Sequence, residues 1–234
     1  MQHTLYQHGT LGTLMAGALE GTCSIHTLLQ YGDHGIATLT GSDGEVIFVD
    51  GEAYHATTTD HNVRHLTGDE LVPYASISKF VSDTTFDVQH LNQETLYKEI
   101  RNQMLSENLF AVIKIKGVFD MMHIRVMPKQ TPPYTRLIKS AQAQPEYTRN
   151  NISGTIVAVY TPEVFHGIGS AGFHAHFLSD DRQFMGHILN FDVTNAAVEI
   201  QNCPIFEQHL STKPSFLNKQ FDYQDIAEDI RQAE

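Results

Sequence analysis

Two histidines one residue apart, His174 and His176, followed by His187, are the residues of this chain best spaced for chemistry. Side chains alternate along an extended strand, so His174 and His176 point one way while Phe173, Ala175 and Phe177 point the other. Asp180-Asp181 then reads as a hairpin turn. A tight turn there pairs positions whose numbers sum to 361, which sets His187 opposite His174, where cross-strand Cβ atoms lie about 4.5–5.5 Å apart. Three imidazoles on one face suit zinc or another divalent cation with a coordination position left open. The absence of cysteine from the set favours a catalytic over a structural site. A register slip of one residue would scatter the trio, and the plain competing account is three polar residues on a solvated sheet face.

The elements that must position these residues follow from periodicity and turn chemistry. Leu11 to Leu19 and Ser24 to Tyr31 have helical spacing, and Gly32 is a stop signal. A strand meander follows: Gly35 to Thr40, a turn at Ser42-Asp43-Gly44, Glu45 to Asp50, then Gly51 and a third strand to Thr57. Tyr74 to Val81 reads as a further strand. A helix capped by Asn92 runs to about Leu105, with Leu96, Ile100 and Met104 at one-turn spacing. Phe110 to Ile115 and Phe119 to Met127 read as paired strands joined at Lys116-Gly117, with His123 and Arg125 on one face of the second. A short helical stretch, Arg136 to Gln142, precedes Pro145. Beyond it lie strands at Gly154 to Thr161, Gly172 to Leu178, Phe184 to Asn190 and Ala196 to Gln201, and a helix near Tyr223 to Gln232. Strands segregated from helices indicate an α+β fold: two strand-rich halves with mixed or antiparallel sheets and a few peripheral helices. The expected division is 1–145, an α+β half with the meander, and 146–234, a strand-rich half carrying the histidines and the terminal helix; the two can form one compact unit.

Composition narrows the function classes. At 234 residues and 41% hydrophobic, the chain can bury a sizeable core. A formal net charge of −12 argues against nucleic acid or an anionic membrane as partner, and an anionic substrate would need a local cation. No apolar run approaches the ~20 residues of a membrane helix, and the start, MQHTLYQHGT, lacks signal-peptide character, so the expectation is a soluble cytoplasmic protein. Cys23 and Cys203 read as small buried hydrophobes.

Around the histidines the sequence resembles the acetolactate decarboxylase family. Tyr31-Gly32-Asp33-His34-Gly35-Ile36-Ala37-Thr38 is similar to the family's YGDxGIGT stretch, and Asp43-Gly44-Glu45 with Asp50-Gly51-Glu52-Ala53-Tyr54 to its DGE…DGxxY meander. Asn108-Leu109-Phe110, Gly154-Thr155-Ile156-Val157 and Gly172 to Phe177 continue the likeness in order, from about residue 10 to the C-terminus. Ala37 stands where the pattern has glycine. The resemblance implies that His174, His176 and His187 bind the metal, that Glu45, Arg125 and Glu234 are catalytic, and that Thr38 and Arg125 contact substrate. Read without it, Glu45 merely begins a strand and Thr38 is an ordinary strand residue. Arg125 is the exception, because it sits among Met121, Met122, Ile124, Val126 and Met127 and so needs a partner or a function.

The activity this implies is conversion of 2-acetolactate to (R)-acetoin through a metal-stabilised enediolate, with Zn2+ as cofactor, no organic cofactor, and a homodimeric assembly. A divalent cation acts as Lewis acid beside the developing oxyanion. Arg125 holds the anionic substrate and directs a proton through a bound group or water, since arginine itself does not deprotonate. Two rivals stand beside this. A cupin-like oxygenase or isomerase expects a glutamate shortly after the second histidine, where this chain has Asp180, Asp181 and Arg182. A non-enzymatic metal-binding module expects Arg125 and Glu45 to lie far from the histidines.

Overall fold

A computed structural model describes residues 3–58 and 62–233. In chain order the strands are β1 (Thr4–His8), β2 (Cys23–Ser24), β3 (His34–Leu39), β4 (Asp43–Val49), β5 (Glu52–Ala56), β6 (Val63–His65), β7 (Leu71–Val72), β8 (Tyr74–Ser78), β9 (Thr84–Asn92), β10 (Phe110–Arg125), β11 (Glu146–Thr161), β12 (Gly172–Ser179), β13 (Met185–Cys203) and β14 (Ile205–His209). The α-helices are short: α1 (Leu11–Met15), α2 (Ile25–Leu28), α3 (Gln93–Gln103), α4 (Ile138–Ala141), α5 (Pro214–Leu217) and α6 (Ile226–Ala233). No helix among the described residues is long and apolar enough to cross a membrane.

Seven strands form a mixed sheet in the order β14-β1-β8-β3-β4-β5-β6, in which β1 and β14 run parallel and the other pairs antiparallel. A second, antiparallel sheet has the order β10-β11-β12-β13-β9, and β10 also pairs with β13, so that four of its strands close on themselves. The α+β reading with segregated sheets and few helices is what the structure has.

Strand periodicity explains how the sheets meet. Ile36, Ile47 and Val49 of the first sheet cluster with Val112, Val157, Val159, Leu178 and Met185 of the second, while Ala37, Val46 and Phe48 turn the other way onto Ile25 and Leu28 of α2. Each such fully buried Val, Leu, Ile, Phe or Met side chain contributes roughly 1.5–3 kcal/mol. Glu45 and Thr38 share parity with Ile47 and Ile36 and therefore face the second sheet, and His174 and His176 share parity with Leu178 and face the first.

Two expected breaks are absent. β10 runs sixteen residues through Lys116-Gly117, and β13 runs nineteen residues through 191–195. Gly117 is a close-approach residue inside the ladder: a Cβ there would overlap the Asn195 carbonyl oxygen. The real irregularity lies further on. Asn151 is left-handed (φ 52°), and the β10/β11 ladder skips a pair between Phe119↔Ile152 and Met121↔Asn150. Core-facing residues of β10 change parity there, from Ala111, Ile113, Ile115 and Phe119 to Met122 and Ile124. Arg125 consequently faces the first sheet.

Candidate metal centre

The site grows from one cross-strand row. Arg125 on β10 pairs with His187 on β13, His187 pairs with His176 on β12, and His176 pairs with Val157 on β11. His174 lies two positions along β12, on the same face. This corrects the expected hairpin register. The loop has four residues rather than two, with Ser179 donating its N–H to the Phe184 carbonyl at 2.9 Å, so His187 meets His176 instead of His174. Ser179 and Asp181 side chains hold the loop by accepting the Gln183 N–H at 3.2 and 3.0 Å. A slip of two positions preserves side-chain parity, which is why the trio still converges.

All three rings are buried, and one donor atom from each lies within 4.8 Å of the others. The His176 Nδ1 donates to the Val46 carbonyl at 2.8 Å. Because a carbonyl only accepts, Nδ1 carries a proton, and Nε2 is the ring atom turned into the site. Nε2 sits 3.2 Å from Glu45 Oε2, while Glu45 Oε1 accepts the Met127 N–H at 3.2 Å.

Burial lowers the pKa of His174 and His187 well below 6.5, assisted by the charges of Arg125 and the neighbouring rings. Both are therefore neutral, with lone pairs available. Burial acting alone would raise the Glu45 pKa, but His176, Arg125 and the Met127 N–H outweigh it and hold the group below its ordinary value. A ring nitrogen and a carboxylate oxygen 3.2 Å apart in a buried site can share either a proton or a bound cation. Three imidazoles and one carboxylate supply an N/O donor set that fits a divalent cation, zinc included.

Thr38, Ser42, Glu45, Tyr74, Arg125 and the three histidines line a small cavity of about 30 Å3, room for about two water-sized groups. Its apolar cover comes from Leu11 and Leu14 on α1, together with Met127 and Leu137. Thr38 donates its hydroxyl to the Gly44 carbonyl at 2.8 Å, fixing the turn that presents Glu45. Tyr74 stacks parallel to His174, centroids 6.4 Å apart. Larger cavities of about 460 and 470 Å3 exist elsewhere, but neither gathers convergent metal donors.

Arg125, Glu45 and Thr38 thus stand beside the histidines, contrary to what an isolated metal-binding module predicts. Glu234 lies outside the described residues. Sequence reasoning missed Tyr74, Ser42 and the α1 cover; the one signal was the Leu11/Leu14 helical spacing, which says that a face is buried and not what it covers. His123 shares its strand face with Arg125, as expected, but bonds Glu146, the cross-strand neighbour of Arg125, at 2.9 Å and is not among the cavity-lining residues.

Comparison with known proteins agrees with this geometry. The family model for alpha-acetolactate decarboxylase matches residues 5–223. The chain is 41% identical to an alpha-acetolactate decarboxylase of Lactococcus lactis subsp. cremoris over 232 residues, covering 98% of each. Among solved structures it is similar to a Staphylococcus aureus protein of unknown function described as similar to alpha-acetolactate decarboxylase, with 57% identity, a TM-score of 0.97, and 99% and 100% of the two chains covered. It is also similar to the Bacillus subtilis strain 168 alpha-acetolactate decarboxylase, at 31% identity, a TM-score of 0.95 and 99% of each chain.

Proposed function

Because the chain belongs to the alpha-acetolactate decarboxylase family, we propose that it converts 2-acetolactate to (R)-acetoin and CO2 at the site built by His174, His176 and His187. The observation that carries this reading is the convergence of Glu45 and Arg125, from two different sheets, on the buried three-histidine cluster.

The reaction breaks the bond between the tertiary carbon and the carboxylate, passes its electrons to the ketone oxygen, and adds one proton from water to carbon. His174, His176 and His187 would hold the zinc, which would supply Lewis-acid stabilisation of the oxygen charge that develops. Arg125, 3% exposed, offers a planar fork for the substrate carboxylate and leaves a positive group beside the carbon to be protonated. The Glu45 carboxylate accepts a hydrogen bond from the tertiary hydroxyl at Oε2 and exchanges that proton. Thr38 keeps oxygen lone pairs free to accept from substrate while its own hydrogen holds Gly44. Glu234 is the second carboxylate of this reading. The apolar cover of Leu11, Leu14 and Leu137 excludes water from one face of the enediolate, so that protonation is one-sided. It is also the wall that must yield to admit a five-carbon substrate.

The same reading makes the protein a cytoplasmic homodimer; both cysteines are buried and unbridged, as a reducing compartment leaves them. The test is chiral analysis of acetoin formed from racemic 2-acetolactate. A large excess of the R form, with CO2 released one for one above the spontaneous rate, is the expected result; racemic acetoin at the spontaneous rate overturns the assignment.

A further inference from the structure

We propose that His55, outside the cavity lining, is a positioning residue that sets the Glu45 carboxylate and, through β4, the ring of His176. His55 is 0% exposed, and both its ring nitrogens are engaged. Nδ1 lies 2.8 Å from Arg64 Nη2, and Nε2 lies 2.7 Å from the Asp43 carbonyl oxygen. A guanidinium only donates and a carbonyl only accepts, so Nδ1 is the acceptor and Nε2 carries the proton. The ring is a neutral relay of fixed tautomer between an exposed arginine on β6 and the first residue of β4.

The four residues at the start of β4 explain what the relay holds. Gly44 is left-handed (φ 62°), at a shift in the β3/β4 register between Ala37 and Leu39. A Cβ there would overlap the Ala56 carbonyl oxygen, so β5 presses directly on this bend. Thr38 and Thr57 hold the bend from the sides, bonding the Gly44 carbonyl and the Asp43 carboxylate, each at 2.8 Å. His55 is the tether at its start. One residue beyond Gly44 is Glu45. Next comes Val46, the cross-strand partner of His55, whose carbonyl accepts from the His176 ring at Nδ1. Loss of the ring donor would leave a buried carbonyl to find another partner, and the bend would relax with Glu45 and Val46 attached to it.

This inference rests on the role given to Glu45 above, so its test uses a readout besides turnover. Metal-depleted wild type, His55→Leu and His55→Gln are titrated with Co2+ and followed by visible absorption, alongside kcat, KM and thermal melting. Gln can donate to Asp43 and accept from Arg64, so it should keep Co2+ affinity within about twofold and at least a third of kcat. Leu should weaken Co2+ binding about tenfold, the lower end for residues that orient metal ligands, and lower kcat at least tenfold with KM little changed. If His55→Leu fails to fold, Arg64→Met removes the acceptor-fixing guanidinium from an exposed position; a threefold or greater loss of Co2+ affinity and kcat supports the relay, and wild-type values overturn it. Folded His55→Leu with wild-type affinity and kcat also overturns it. Wild type that binds Co2+ without decarboxylating would defeat the functional reading alone, and the affinity series would still decide the role of His55.

Discussion

Glu45 and His176 meet at 3.2 Å, carboxylate Oε2 to ring Nε2, in the lining of a small cavity. The other nitrogen of His176 is committed to the Val46 carbonyl, so Nε2 is the ring atom left to face a cation. Removing that ring leaves two imidazoles, and His176→Ala is expected to fold with under about one tenth of wild-type zinc content and background activity. Metal analysis and an acetoin assay on the same sample check this, and full zinc content in the variant would exclude His176 as a ligand.

Arg125 is buried opposite His187, where shape matters as much as charge. Arg125→Lys keeps a cation and loses the planar fork. We expect a folded, metallated protein whose kcat/KM falls about 100-fold, in line with losing ~2–3 kcal/mol of charge-assisted bonding. Steady-state kinetics with a metal assay decide it, and wild-type turnover removes Arg125 from the site.

Leu14 covers the cavity from α1. Leu14→Ala should destabilise the fold by about 2–3 kcal/mol and shift preference toward 2-aceto-2-hydroxybutyrate, which is one methylene larger. One methylene is worth roughly 1–3 kcal/mol of discrimination, so the ratio of kcat/KM values should move at least fivefold. An unchanged ratio would place the substrate away from α1.

Burial, with His209 adding to it, lowers the His8 pKa from 6.5 to about 4. The ring is neutral in the fold, its Nε2 lying 2.7 Å from Thr22 Oγ1, and is protonated in the unfolded chain below its ordinary pKa of 6.5. The unfolded state therefore binds the extra proton between these two values, and stability from this group rises with pH from about 4 to 6.5 and is flat above. The change is about 2 kcal/mol between pH 7 and pH 5, so His8→Gln should shrink the drop in Tm over that range by about 4–8 °C. An identical drop in the variant would show that His8 is not proton-linked to folding.

Gly117 and Asn92 show where local chemistry could and could not be read. Asn92 caps α3 as its type predicts, accepting the Thr95 N–H at 2.9 Å, because a cap involves only residues three apart. Lys116-Gly117 looked like a turn for the same local reason, yet the glycine answers to Asn195 on a neighbouring strand, which no nearby residue announces. Gly117→Ala should accordingly lower Tm by several degrees while leaving zinc binding intact at low temperature. The edge strands β9 and β14, and β1 beside β14, gave no usable pattern, since their burial alternates weakly or is set by pairing across most of the chain length. The histidine trio was legible because parity survives a two-residue register error. Arg125 and Glu45 reach the histidines from other strands, and only the family likeness brought them together in advance.

The most direct test of the account is acetoin formation from racemic 2-acetolactate by protein of measured metal content, before chelation, after it, and after zinc is restored. The account predicts turnover above the spontaneous rate that disappears with the metal and returns with zinc in proportion to site occupancy. Full activity in metal-free protein, or none in folded and fully zinc-loaded protein, would contradict it.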